Sequence, residues 1–383
     1  MPLLYVVTEQ MDSPHGTQMF AALIIDEVVR RGWRVKLFTA HYNPKCSAWR
    51  EFLAERHVPV VRACFWFLTR YHLPHHYVSM RLWRLVRRER PNLIWSPDNE
   101  PMTCRALESM PPKSQPYFVH DPSAASEECP HYPALWFDVC GRVTGLTVHG
   151  KRQAESASRY YKLDRPIQAV WPASFPPGRT VTAPRSTGPV RFGQFGRLHF
   201  IKGSHFTVGA FARVIELGHA AELHFYGDGP FASETKDLVS SLGLKKYVYF
   251  HGSYRLEELD DLIEGIDVGV MPSMFEGFGL VMLEMMSRGR PVISSAVGSS
   301  REVLEGMGCG WVVRRADTED LAQAMIRCCA DPVSITAMGK KARTVWHAHF
   351  TPARMFDRFL AFWKVCGADV PAPVGEAEEN LAR

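Results

Sequence analysis

Short apolar runs alternate with segments of helical period along the first half of the chain. Residues 3–7 form an apolar run typical of a buried strand. From residue 17 to 31 apolar positions recur at the spacing of one helix face, and Gly32 marks a helix end. Residues 35–39 form the next strand, so the chain opens as the strand-helix-strand unit of a parallel sheet. The same pattern predicts five further strands, at 58–61, 92–95, 117–119, 146–148 and 167–170.

The segment 172–189 is rich in Pro, Gly and Ser and has little apolar periodicity, so we interpret it as a linker. A second series of apolar runs follows it, with helical segments between the runs. The chain is therefore expected to be an α/β protein with two Rossmann-like halves, whose ligand cleft lies between the carboxyl edges of two parallel sheets. The second series predicts strands at 190–195, 221–226, 247–250, 268–271, 292–294 and 311–313.

Two helices are predicted near the end of the chain, at 333–347 and 352–366. The second is apolar at Met355, Phe359, Phe362 and Trp363, which favours packing back against the first domain. We expect the domains to span 1–180 and 188–350, with the returning helix at 351–367. From 368 to 383 the residues are mostly Pro, Ala, Gly and Glu, a composition typical of disorder.

Composition supports this division and narrows the function classes. A chain of 383 residues exceeds what one hydrophobic core usually supports. A net charge of +5 is too small to indicate nucleic acid as a partner. Nine cysteines without a C-x-x-C pair indicate scattered reduced thiols, and the first residues are typical of a strand rather than a signal peptide. We therefore expect a cytoplasmic protein.

Residues 273–284 combine an apolar strand end, a glycine loop and the start of a helix. The first backbone N–H groups of a helix have no partner within it, so this loop favours an anion. Glu276 precedes the glycines and Glu284 lies in the helix that follows them. Amides flanked by two carboxylates suit a ligand with both phosphates and hydroxyls, although Glu284 alone is also typical of an ordinary exposed helix residue.

Other loops of the second half add cations and glycines. Arg197 and Lys202 lie between Gly196 and Gly203, where a forked donor and a point charge suit a diphosphate, or where a plain surface loop carries ordinary basic residues.

The segment 226–232 matches G-x-G-x-x-A but follows the second strand of its half, so we discount NAD. After the next strand, Gly252, Ser253 and Tyr254 suit contact with a nucleobase, or simply form a tight turn.

These segments, in this order, resemble the family-4 retaining glycosyltransferases, which have the GT-B fold of two facing Rossmann-like domains. The resemblance rests on Glu276 and Glu284 with seven residues between them, on the segments at 196–203 and 226–230, and on His251-Gly252. In the first half, residues 31–35 and the pair His120-Asp121 are similar to family motifs. The family often has a Gly-Gly pair in its first loop, where this chain has 13–16, ending at Gly16.

The resemblance implies roles for individual residues. Glu284 would bind the ribose of a nucleotide sugar and Glu276 the hydroxyls of the transferred sugar. Arg197 and Lys202 would neutralise the departing diphosphate, and His120 would face the sugar and the acceptor. Backbone contacts are implied for Gly16, Gly196, Gly227, Gly277, Phe278, Gly279, Leu280 and Val281.

The expected function is thus retaining transfer of a sugar from a UDP- or GDP-sugar to an acceptor hydroxyl of a glycan, a lipid-linked glycan or a small molecule. The sequence has no Asp-x-Asp signature, so we expect neither a metal nor another cofactor. Two alternatives remain open: a non-catalytic nucleotide-sugar-binding subunit and a nucleotide-sugar epimerase. His120 alone is also typical of a residue that merely ends a strand.

Aromatic and basic residues are concentrated at 64–90. Such a segment is typical of peripheral contact with an anionic membrane at the inner face of the cell, and equally of a helix with one buried face and one solvated basic face. Membrane contact would fit an acceptor in the cell envelope.

Overall fold

A computed structural model describes residues 1–11, 16–42, 47–62, 76–99, 103–104, 106, 115–122, 140–179, 181–184 and 187–371. The chain forms two compact units. Unit 1 comprises Met1–Ala173 and Pro352–Arg383, and unit 2 comprises Ser174–Thr351. The predicted linker 172–189 therefore falls almost entirely within unit 2. The predicted contacts of 64–75, and the tail from 372 onward, lie outside the described residues.

Unit 1 contains, within the described ranges, a parallel sheet with the strand order β3-β2-β1-β4-β5-β6-β7. Each strand predicted for this half is confirmed, because short apolar runs can satisfy their backbone only by pairing inside a sheet. The strands are β1 (Leu3–Met11), β2 (Arg34–Tyr42), β3 (Val60–Arg62), β4 (Leu93–Ser96), β5 (Tyr117–Asp121), β6 (Gly145–Val148) and β7 (Ile167–Ala169). The helices are α1 (Gly16–Arg30), α2 (Ser47–Glu55), α3 (His76–Glu89) and α4 (Lys151–Tyr161).

The last helix that the structure describes, Pro352–Val365, belongs to unit 1, as the apolar spacing predicted. Phe359 packs against Phe20 of α1, with ring centroids 6.1 Å apart, and Trp363 lies 5.9 Å from Phe118 of β5. Arg31 donates from Nη1 to Asp357 Oδ1 at 2.5 Å and fixes the helix along α1. Because α1 is covered by the sheet on one side and by this helix on the other, it is buried over most of its length.

Unit 2 contains, among its described residues, a parallel sheet with the order β10-β9-β8-β11-β12-β13. All the strands predicted for this half are confirmed. They are β8 (Val190–Phe195), β9 (Ala221–Tyr226), β10 (Val248–Phe250), β11 (Val268–Met271), β12 (Val292–Ser295) and β13 (Trp311–Val313). The helices are α5 (Ser204–Glu216), α6 (Ala232–Ser241), α7 (Leu259–Glu264), α8 (Leu280–Ser287), α9 (Thr318–Ala330) and α10 (Pro332–His349); α11 is the last helix of unit 1 (Pro352–Val365).

The strand order of unit 2 explains where a ligand site forms. The first strand, β8, pairs with β9 on one side and with β11 on the other. At this point the direction of sheet building reverses, and the loops on either side diverge and leave a crevice. The expected α/β fold with two Rossmann-like, parallel-sheet units is confirmed.

Candidate active site

Four loops meet at the carboxyl edge of the sheet in unit 2. They follow β8, β9, β10 and β11 and contain most of the residues singled out from the sequence. Two backbone hydrogen bonds connect them: Leu198 N–H donates to Asp228 O at 3.0 Å, and Met274 N–H donates to Ile201 O at 2.8 Å. The loop after β8 therefore lies between the loops that follow β9 and β11.

Glycines allow these loops to approach one another closely. A Cβ on Gly227 would lie 2.0 Å from Gly196 O, and a Cβ on Gly203 would lie 2.2 Å from Pro272 O. Both glycines have positive φ, of 135° and 72°. Gly227 N–H also donates to Gly252 O at 2.7 Å. The structure thus brings Gly196, Gly227 and Gly252 together, as backbone rather than side-chain participants.

Glu276 lies at the centre of a small polar cluster. Its Oε1 accepts from Lys202 Nζ at 2.6 Å and from Ser273 Oγ at 2.8 Å. The Glu276 side chain is 12% exposed and that of Lys202 is 32% exposed. A lysine ammonium has three donors, so Lys202 keeps donors for a further anion while it holds Glu276. The sequence did not single out Ser273 by itself; a hydroxyl at the strand end was its only signal.

The glycine loop then leads into α8. Gly279, with φ of 93°, precedes the helix, and a side chain there would meet Met271 at 2.9 Å. Phe278 is buried in unit 2, with its ring 6.1 Å from that of Phe350, so only its backbone is available to a ligand. Leu280 and Val281 form the first turn of α8, whose amides have no intrahelical acceptor.

Glu284 lies half-buried in the fifth position of α8. Burial raises the pKa of its carboxyl, and the nearby charge of Arg288 opposes that rise. Burial and the Glu284 charge together raise the pKa of the Tyr254 hydroxyl, which places Tyr254 close to Glu284. Among the described residues, no hydrogen bond or ion pair involves the Glu284 carboxylate, so both oxygens are available to hydroxyl donors.

An aromatic stack lies behind the loop after β10. Tyr254 packs edge-on against Phe195 at 5.6 Å, Phe195 stacks on Tyr226 at 4.3 Å, and Tyr226 stacks on His251 at 4.3 Å. Ser253 is exposed beside them. The stack fixes the position of Tyr254 next to Glu284, which the sequence did not predict.

Arg197 lies apart from the Lys202–Glu276 pair. It is exposed, and within the described part of the chain it takes part in no ion pair or hydrogen bond. Its Cγ would lie 2.9 Å from a Cβ on Gly229, so it borders the turn after β9. The two predicted cations are thus on one loop but in different environments.

His120 and Gly16 belong to unit 1. Gly16 is exposed and begins α1. His120 is fully buried, and its sugar-facing role stays a prediction. Its Nδ1 lies 3.0 Å from Thr147 Oγ1 and its Nε2 lies 3.1 Å from His149 Nδ1, so contact with a ligand requires one ring nitrogen to leave its partner. Burial, and secondarily His149, lowers the pKa of His120, so its imidazole is neutral at neutral pH.

The arrangement in unit 2 offers a cation, a loop of helix-starting amides and two carboxylates within one crevice. A phosphate is suited to Lys202 and the amides, and vicinal hydroxyls are suited to the free oxygens of Glu284. Within the part of the chain that the structure describes, no helix is both apolar and long enough to cross a membrane.

The family comparison covers much of unit 2. Residues 189–331 match the model of the family described as glycosyl transferases group 1. An uncharacterized glycosyltransferase of Methanocaldococcus jannaschii is 33% identical over 136 residues, 36% of this chain and 35% of that protein. Alpha-D-kanosaminyltransferase of Streptomyces kanamyceticus is 26% identical over 172 residues, 45% of each. The matched stretch therefore spans less than half of either relative.

The whole chain has counterparts among solved structures. The crystal structure of Anabaena HepE in complex with UDP and glucose superposes with a TM-score of 0.76. The superposition covers 94% of this chain and 99% of that one at 17% identity. At this identity the likeness concerns the fold alone, which is that of the GT-B glycosyltransferases.

Proposed function

We propose that this chain, whose residues 189–331 match the model of the group 1 glycosyl transferases, is a retaining glycosyltransferase. The proposed reaction moves a sugar from a nucleoside diphosphate sugar to an acceptor hydroxyl without a metal ion. The observation that carries the proposal is the Lys202–Glu276–Ser273 cluster beside the amides that begin α8, with Glu284 about one turn further along the helix.

The proposed chemistry follows the movement of charge. As the bond between the anomeric carbon and the phosphate oxygen breaks, positive charge develops on the sugar and negative charge on the diphosphate. Lys202 and the amides of Leu280 and Val281 are fixed positive groups, and such groups lower a barrier when they meet charge that grows in the transition state. Glu276 is held by Lys202 and Ser273, which orients its second oxygen for sugar hydroxyls.

Retention of configuration requires the acceptor oxygen to attack from the face that the phosphate leaves. The new bond joins the acceptor oxygen to the anomeric carbon, and the acceptor proton passes to the departing phosphate oxygen. No protein base is needed for this step, which agrees with the pairing of Glu276 by a cation. Arg197, on the loop after β8, is proposed to approach the diphosphate from the side of the turn after β9. The roles predicted for Gly16 and His120 stay predictions.

A thermal-shift screen with UDP, GDP and ADP tests the nucleotide. Ligand at 100 times its Kd stabilises a protein by about 2.7 kcal/mol, enough for a clear shift. UDP is the first choice because the similarly folded Anabaena protein was crystallised with UDP. Glu284→Gln is expected to weaken binding of the selected nucleotide, since a charge-assisted contact with the ribose is lost.

Glu305→Gln is the matched control, because Glu305 is 60% exposed and pairs with Arg301 on the surface. Unchanged affinity of the Glu284 variant would remove the proposed ribose contact.

Product analysis separates the proposal from the two alternatives. With a labelled nucleotide sugar and a mixture of acceptors, a transferase yields a glycosylated acceptor, an epimerase yields an isomerised sugar, and a binding subunit yields neither despite saturable binding. Activity in the presence of EDTA tests metal independence: complete loss that Mg²⁺ restores would contradict it.

We also propose that α3 contacts an anionic membrane, which would fit an acceptor in the cell envelope. In α3, Arg87 lies over the Trp83 ring at 4.7 Å and Met80 is 43% exposed, while Leu82 and Val86 are buried in unit 1. The helix thus has the basic, partly aromatic outer face that suits an anionic surface. Co-sedimentation with anionic but not with neutral vesicles is expected, and equal behaviour with both would contradict membrane contact.

A further inference from the structure

Behind Glu284 lies a buried ion pair that has no direct part in the proposed chemistry. Arg288 is 4% exposed and follows the end of α8, one turn after Glu284. Its Nε donates to Asp260 Oδ1 at 2.7 Å, and its Nη2 lies 2.6 Å from the same oxygen. Removing two charges from water costs free energy, so a buried ion pair is weak evidence of a stabilising role. The position of this pair next to Glu284 suggests a different role.

Arg288 also fastens the helix that carries Glu284. Its Nη1 donates to Glu284 O at 3.2 Å and to Ser287 Oγ at 3.0 Å. Ser287 Oγ in turn donates to Glu284 O at 2.8 Å. The guanidinium therefore lies close to the Glu284 backbone while its donors are occupied by other acceptors. It brings a positive charge near the Glu284 carboxylate without covering the oxygens that a ligand would use.

Asp260 connects this arrangement to the start of unit 2. Its Oδ2 accepts from the backbone N–H of Gly178 at 2.8 Å and of Arg179 at 3.1 Å. Arg179 itself pairs with Asp261 and Glu264 of α7. Asp260 is thus saturated by hydrogen bonds from two directions and holds the Arg288 guanidinium in a single position.

We propose that Arg288 and Asp260 form a positioning pair for Glu284, in which the guanidinium fixes the helical turn that carries Glu284 and places a positive charge beside it, while Asp260 holds the guanidinium in place. This inference rests on the proposed ribose contact of Glu284. A carboxylate accepts two hydroxyl protons of a diol, whereas a protonated carboxyl spends one oxygen as a donor. Burial disfavours the ionised form of a glutamate, and a nearby cation favours the ionised form, which is the better acceptor for a diol.

Among the residues that the structure describes, Arg288 is the cation whose charge acts on the Glu284 carboxyl. Burial raises the pKa of Glu284 and Arg288 lowers it. From the loop after β10, burial and then the charge of Glu284 raise the pKa of the Tyr254 hydroxyl, which is therefore neutral at neutral pH. From α10, Arg343 approaches Gly289, with its Cδ 3.9 Å from the position of a Cβ there. From α7, Asp260 faces Arg288.

The test is the affinity for the nucleoside diphosphate selected in the thermal-shift screen, measured by calorimetry between pH 5 and 8 on the full chain. The ligand's own ionisation is common to all variants, so differences between profiles report on the protein. Arg288→Met leaves burial unopposed, and we expect the pH midpoint of binding to rise by about one unit. Asp260→Asn keeps an oxygen that accepts from Arg288 but removes the negative charge beside the guanidinium, so we expect the midpoint to fall.

Opposite shifts of the pH midpoint in the two variants distinguish a positioning pair from a merely structural ion pair. In a structural pair, loss of either partner would lower stability and leave the midpoint unchanged. Arg288→Lys retains the charge and is expected to keep the wild-type profile even at a lower Tm; a Lys variant that behaves like the Met variant overturns the proposal. Arg213→Met, at an exposed pair with Glu216, is the control for loss of one positive charge.

Two failures are kept apart by Glu284→Gln. If this variant binds the nucleotide as wild type does, the ribose contact is wrong and the proposed function of Glu284 fails. If it binds weakly but the Arg288→Met profile overlays that of wild type, the contact stands and the positioning pair is refuted. Should Arg288→Met not fold, the fall in midpoint of Asp260→Asn decides alone.

Discussion

Gly203→Ala is expected to disturb the candidate active site, because the added methyl group would clash with the backbone of the neighbouring loop. Gly203 has φ of 72°, and a Cβ there would lie 2.2 Å from Pro272 O. A carbon atom normally stays about 3.3 Å from a carbonyl oxygen, so the loops after β8 and β11 must separate by about 1 Å. Lys202 lies on one side of that contact and Ser273 on the other, so the displacement falls on the cluster that holds Glu276.

A misplacement of about 1 Å in an active site can cost about 10²-fold in rate, and we expect a loss of this order in kcat/KM for Gly203→Ala. The positive φ adds a loss of stability of about 1–2 kcal/mol. Gly218→Ala is the matched control: its φ is 79°, but nothing lies within 4 Å of its Cβ position. Gly218→Ala should lose only the stability that the positive φ costs, about 2–8 °C in Tm, and keep its kinetic constants.

The assay is sugar transfer over a range of donor concentrations, with thermal unfolding of the same samples. Donor affinity, measured separately, compares the two variants independently of the acceptor. If Gly203→Ala and Gly218→Ala lose stability equally and share wild-type kinetics, the close packing of the two loops has no part in positioning Lys202 and Glu276.

Three further outcomes follow from the described contacts. Arg197→Ala is expected to lower kcat more than donor affinity, because in the proposed reaction an exposed cation beside the diphosphate acts mainly in the transition state; a pure rise in KM would contradict this. Burial lowers the pKa of His149 to about 3 and also lowers that of His120. The unfolded chain therefore binds more protons below about pH 6.5, and stability should fall there by about 1.4 kcal/mol per pH unit for each group. His149→Asn should flatten that dependence in urea unfolding at several pH values. Phe359→Ala should cost about 3–5 kcal/mol, measured by the same method, because its buried ring packs against α1 and β4, and a smaller loss would mean that α11 is loosely attached.

The strands were predictable because each is a short apolar run bounded by turn residues. It was predictable that Lys202 and Glu276 lie at the same edge of the sheet, since both follow strands of one parallel sheet. The sequence does not state that β8 and β11 are neighbours, and that neighbourhood produces the 2.6 Å contact.

The buried residues were harder to predict. The local sequence around His120 does not show whether its ring is exposed or buried. The ring is buried because Phe20, Phe359 and His149 pack against it. Arg288 reads in the sequence as a basic residue that ends a helix, a favourable position on electrostatic grounds alone. Its partner, Asp260, is 28 positions earlier, and no local pattern connects the two.

The place of α11 in unit 1 has a consequence for the order in which the chain matures on the ribosome. Residues 174–351 are contiguous, so unit 2 has its full set of strands and helices as soon as they emerge. Unit 1 begins to emerge first but lacks the aromatic face of Phe359 and Trp363 until synthesis has passed residue 363. During that interval α1 and the centre of its sheet have an uncovered apolar surface, the kind that recruits chaperones or aggregates. The unit that is made first is thus completed last.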